Sequence, residues 1–95
     1  MPPTKVYILY RKDKPDDAIK IEEIKKSALT AGQMLNKPVE VEFSTNFRQF
    51  ENLSVNMAMT PIVVINNISE FAGSVPTVDQ MKKCLLSSAS ASDMF

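Results

Sequence analysis

Residues 60–67 of this 95-residue chain read Thr60-Pro61-Ile62-Val63-Val64-Ile65-Asn66-Asn67. The four central residues are all β-branched, a composition that favours a buried strand. The Asn-Asn pair can supply the positive φ angles of a two-residue turn, and residues 68–72 then return as a second strand. The stretch therefore predicts a β-hairpin inside a sheet.

Upstream of the hairpin, a strand pattern is followed by a helix pattern. Residues 5–10 are rich in β-branched, aromatic and aliphatic side chains with little alternation, as expected of an interior strand buried on both faces. A long helix should begin at Pro15, because proline tolerates the first helical turn and carboxylates such as Asp16 complement the helix dipole. Its apolar stripe consists of Ile21, Ile24, Ala28, Ala31 and Leu35.

The segment between this helix and the hairpin predicts one more strand and one more helix. Residues 39–44 alternate apolar and acidic or polar side chains, the period-two pattern of a half-buried strand at a sheet edge. Asn46 and Gln49 resemble a capping box. Phe47, Phe50 and Leu53 then form a short apolar face, which predicts a helix of two or three turns.

The C-terminal third predicts a last helix and a tail. Thr77 and Gln80 form a closer capping-box match, and Val78, Met81 and Leu85 give the helix an apolar inner face. The serine- and alanine-rich end predicts disorder. We therefore expect an α/β fold of order β-α-β-α-β-β-α, with a four-stranded mixed sheet flanked by helices, as one domain over residues 1–87 and a disordered tail over residues 88–95.

Composition argues against several classes of partner and cofactor. The formal net charge is zero, which gives no electrostatic reason to expect nucleic acid or an anionic membrane as a partner. The sequence shows no secretion signal and no apolar run of membrane-spanning length, so a cytoplasmic location is expected. One cysteine and no histidine also argue against a metal site, and we expect no cofactor.

A family resemblance lies in the same C-terminal third. Gly73-Ser74-Val75-Pro76-Thr77-Val78-Asp79-Gln80-Met81-Lys82-Lys83 is similar to the Gly-x-Val-Pro-[Ser/Thr]-Val-x-x-[Ile/Met]-Lys-Lys ending of small, glutaredoxin-sized thioredoxin-like proteins, often called redox-active disulfide proteins. In that family a cis proline directly precedes a buried strand, the position that Thr60-Pro61 holds here. The resemblance implies a thioredoxin-like fold, whose order of elements is the one expected above.

The chain departs from this family where the family carries its reactive groups. Members have a Cys-x-x-Cys pair between the first strand and the first helix, and in this chain Pro15-Asp16-Asp17-Ala18 stands in that place. Dithiol exchange needs a thiolate to attack and a second thiol to resolve the mixed disulfide. Nor do the adjacent aspartates suit acid–base catalysis, because neighbouring helical residues point about 100° apart. No catalytic residue is expected.

The resemblance implies a redox-inactive binding or assembly module with a protein or peptide partner. In the thioredoxin fold, the backbone before the cis proline pairs with an extended peptide, and this groove needs no cysteine. The implied site comprises Pro15, Asp16, Asp17, Ala18, Met59, Thr60, Pro61, Gly73 and Ser74.

Two alternatives remain open. The chain could be a monothiol redox protein that uses Cys84 as its reactive thiol. A structural role for Cys84, as a small residue at the edge of the core, is the simpler interpretation. The chain could also form a homo-oligomer by pairing the edge strand at residues 39–44.

Overall fold

A computed structural model describes residues 3–53, 57–66 and 68–93. The elements follow in the order β1 (Thr4–Leu9), α1 (Pro15–Met34), β2 (Val39–Ser44), two 3₁₀ segments (Phe47–Leu53 and Met57–Met59), β3 (Ile62–Ile65), β4 (Ile68–Ala72) and α2 (Val78–Asp93). The α/β class is thereby confirmed. No helix among these residues is both long enough and apolar enough to cross a membrane.

The four strands form one mixed sheet in the order β2-β1-β3-β4. Strand β1 runs parallel to β2 and antiparallel to β3, and β4 pairs antiparallel with β3. The interior first strand, the edge position of β2 and the hairpin are therefore confirmed. Asn66 adopts the expected positive φ of 51° at the hairpin turn, whereas Asn67 lies outside the described residues.

Both α-helices pack on one face of the sheet. Helix α1 presents the predicted apolar stripe to this face, and α2 adds two buried side chains next to it. Alternation along β1 and β3 sends every second side chain to the same side. The resulting core consists of Val6, Ile8, Ile21, Ile24, Ala28, Ala31, Val63, Ile65, Met81 and Leu85.

The opposite face is covered by the first 3₁₀ segment. Phe50 is buried there against Leu9, Ile62 and Val64, with the Tyr7 ring edge-on to Phe50 at 5.1 Å between centroids. Strand β3 is thus buried on both faces, which explains its uninterrupted β-branched composition.

The prediction of an α-helix between β2 and β3 is wrong in type. The segment Phe47–Leu53 is 3₁₀, with a kink at Phe50 (φ −121°, ψ 19°). In a 3₁₀ turn, residues three apart eclipse, so Phe47 and Phe50 can face the sheet together. Asn46 instead donates its backbone N–H to the Ser44 hydroxyl at 3.1 Å.

The last helix begins with the predicted capping box. The N–H of Thr77 donates to Oε1 of Gln80 at 2.9 Å, and the N–H of Gln80 donates to Oγ1 of Thr77 at 3.2 Å. This reciprocal pair satisfies two backbone donors that a helix start leaves without partners. Helix α2 continues to Asp93, whereas the sequence pattern predicts a tail from residue 88.

Candidate functional site

Three separate loops meet at one end of the sheet. Nζ of Lys14, just before α1, donates to the carbonyl oxygen of Thr60 at 3.0 Å. The N–H of Gly73, just after β4, donates to the carbonyl oxygen of Pro61 at 2.9 Å. We call the surface formed by Lys14, Met59, Thr60, Pro61 and Gly73 the proline-loop face.

The middle of the proline-loop face is buried and its margin is exposed. The Thr60–Pro61 peptide bond is cis, as the family resemblance implies. Thr60 is only 2% exposed and Pro61 is buried, so both residues of the implied site lie beneath the surface. Met59, in contrast, is 47% exposed and supplies an apolar contact surface.

Gly73 allows the chain to turn beside Met59. Its φ of +78° lies in the left-handed region that side chains rarely adopt. A Cβ at this position would lie 3.5 Å from the Met59 carbonyl oxygen. The exposed Ser74 follows directly, so this turn forms part of the margin.

The four residues at the start of α1, Pro15-Asp16-Asp17-Ala18, differ in exposure. Pro15, Asp16 and Ala18 are exposed, whereas Asp17 is buried. Oδ2 of Asp17 accepts a 3.0 Å hydrogen bond from the backbone N–H of Arg11, and Nζ of Lys14 lies 3.8 Å from its Oδ1. Asp17 therefore anchors the β1–α1 loop, and of the two aspartates in the implied site only Asp16 is exposed.

An exposed ion pair shapes the same loop. Nε of Arg11 donates to Oδ1 of Asp13 at 3.0 Å. This hydrogen bond, with the nearby positive charge, lowers the pKa of the Asp13 carboxyl below its ordinary value. The guanidinium of Arg11 therefore pairs with Asp13 in the same loop, whereas the ammonium of Lys14 reaches Thr60.

Cys84 lies away from these loops in sequence, on α2. It is partly buried and packs against the core cluster that contains Met81 and Leu85. This packing agrees with a structural cysteine, while its reactivity remains a prediction. Over the described ranges, no three His, Cys, Asp or Glu side chains come together as a metal-binding group.

Lys14 is not among the site residues predicted from the sequence, although its side chain reaches Thr60. It occupies the N-cap of α1 in an extended conformation (φ −110°, ψ 102°) with no side-chain capping bond. Lysine is not among the residues favoured at this position, which are Ser, Thr, Asp and Asn. Lysine at this position, directly before Pro15, is the sequence signal that could have drawn attention to Lys14.

Comparison with known proteins gives no further guide, since no family model, curated protein or solved structure matches the chain.

Proposed function

We propose that this chain is a thioredoxin-like domain without dithiol chemistry, and that it binds an extended segment of a protein partner at the proline-loop face. The element order supports the fold assignment, because it matches the order that the family resemblance implies, with 3₁₀ segments in place of the second α-helix. The absence of a cysteine from Pro15-Asp16-Asp17-Ala18 supports a binding role over thiol exchange.

One observation carries the functional part of this proposal: the three loops converge around an exposed methionine. The bond from Gly73 to Pro61 holds the end of β4 beside the proline, and the Lys14 side chain reaches Thr60 from the third loop. Met59 then offers a flexible, polarizable side chain at the margin of a fixed backbone. Such a surface suits a peptide, because main-chain hydrogen bonds provide affinity and apolar contacts provide specificity for particular peptide side chains.

The proposal can be tested by selecting peptides that bind the wild-type chain from a random library displayed on phage. The affinity of the selected peptides is then measured for Met59→Asp. A charge at this position should remove most of the apolar contact and lower the affinity for the selected peptides by about tenfold or more. Met34→Asp is the matched control, because Met34 is likewise exposed, at 59%, but lies at the end of α1. Equal loss in both variants, or no peptide selected by the wild type, would refute the proposal.

A further inference from the structure

The carbonyl oxygen of Thr60 already has a partner within the chain. Thr60 is 2% exposed, and the Lys14 ammonium lies 3.0 Å from its carbonyl oxygen. An extended partner that pairs its main chain with this segment would compete for this acceptor. Within the proline-loop face, the Lys14 ammonium therefore already bonds the main-chain acceptor of Thr60.

Lys14 is held in place by contacts that it can leave. Its side chain is 35% exposed, and its ammonium is 3.8 Å from Oδ1 of Asp17, beyond hydrogen-bond distance. When Lys14 moves away, Oδ2 of Asp17 keeps the Arg11 N–H, but the buried Oδ1 loses the nearby positive charge, so opening has an energetic cost. A lysine ammonium on a flexible stem is readily hydrated, so water can replace the Thr60 carbonyl oxygen as its partner.

We propose that Lys14 is an internal cap on the proline-loop face, which a binding peptide displaces from the Thr60 carbonyl oxygen. This inference rests on the proposed function. A peptide then binds only the fraction of molecules in which Lys14 has moved away, so the apparent affinity is reduced by that fraction.

The direct test compares wild type with Lys14→Met, using the strongest peptide from the library selection, synthesised, as the probe in calorimetric titrations. Methionine preserves an unbranched stem and removes the ammonium. If the cap is open about a tenth of the time, Lys14→Met should bind the peptide about tenfold more tightly. Lys12→Met is the matched control, because it removes the same charge from an exposed neighbour, and it should leave the affinity unchanged.

A second pair of variants covers the case in which Lys14→Met fails to fold beside the buried Asp17. Asp17→Asn retains an oxygen for the Arg11 N–H and removes the buried charge. Adding Lys14→Met to Asp17→Asn should again tighten binding relative to Asp17→Asn alone, by less than in the wild-type background, because loss of the Asp17 charge already raises the open fraction.

The outcomes separate the cap from the proposed function. Equal affinity with and without the Lys14 ammonium would overturn the cap while leaving peptide binding intact. Weaker binding by Lys14→Met would also overturn it, since Lys14 would then be a contact for the peptide. If no peptide binds wild type or either Lys14 variant, the proposed function fails and the cap fails with it.

Discussion

The backbone N–H of Arg11 donates a 3.0 Å hydrogen bond to Oδ2 of Asp17, a carboxylate that is fully buried at the start of α1. The bond spans six residues and joins the loop after β1 to the first turn of α1. It thereby fixes the loop from which Lys14 reaches Thr60. The position of the proline-loop face depends on this contact.

Asp17→Ala should lower the free energy of unfolding by about 2 kcal/mol, since it leaves the Arg11 N–H without its charged acceptor. Asp16→Ala is the adjacent control and should cost no more than about 0.5 kcal/mol, because Asp16 is exposed and acts only through the helix dipole. Urea unfolding followed by circular dichroism measures both. Equal costs at the two positions would show that the buried hydrogen bond is not what anchors the loop.

Thr77→Ala should destabilise the domain by about 1 kcal/mol, because the start of α2 loses one of its two capping bonds. Thr77→Ser keeps the hydroxyl and should cost much less. A double-mutant cycle with Gln80→Ala, measured by thermal unfolding, should show a coupling energy between the two positions. If the two changes in unfolding free energy simply added, the two hydrogen bonds would be independent rather than a coupled capping box.

Gly32→Ala should also destabilise the domain, although alanine is normally the better helix former. A Cβ there would lie 2.6 Å from Cγ2 of Val39 and 3.0 Å from the Lys37 carbonyl oxygen. Overpacking typically costs about 1–3 kcal/mol, against a gain of about 1 kcal/mol from helix propensity. We expect a net loss of about 1 kcal/mol in chemical unfolding.

Thr30→Ala is the control for Gly32→Ala, because Thr30 lies on the same helix with an exposed side chain. It should be neutral or slightly stabilising, since alanine has the higher helix propensity. If Gly32→Ala stabilised the domain as well, the close approach of α1 to β2 would be contradicted.

The Asp13 carboxyl should titrate at lower pH in the folded chain than in the unfolded one, because the Arg11 guanidinium stabilises its charged form. A lowered folded-state pKa adds stability above the ordinary pKa, and that contribution is lost as the pH falls through the lowered value. Carboxyl-carbon NMR titration should show the pKa of Asp13 rising toward its ordinary value in Arg11→Met. A pKa unchanged by Arg11→Met would contradict the assignment, and Lys12→Met serves as the charge-matched control.

Local patterns predict most of the fold correctly, because the forces that set them act over a few residues. The Thr77–Gln80 capping box is a reciprocal bond across three positions, and the interior strand at residues 62–65 is evident from its β-branched composition. Both depend on chemistry that is present in the sequence itself.

Contacts between separate loops and elements determine the parts of the structure that local patterns do not predict. Burial of Asp17 depends on the Arg11 amide, and the position of Lys14 depends on a carbonyl 46 residues away in sequence. The 3₁₀ form of residues 47–53 likewise depends on the second face of the sheet, where Phe50 packs. Intrinsic helix preference is weak enough for such tertiary contacts to override it.

The most direct test of the proposed function is an amide chemical-shift map of the ¹⁵N-labelled chain titrated with the selected peptide. Peptide binding at the proline-loop face should concentrate the shift changes at Lys14, Met59, Thr60, Gly73 and Ser74. The same titration on Met59→Asp should produce them only at much higher peptide concentration. Shift changes centred on the edge strand β2, or on the exposed side of α1, would contradict the account.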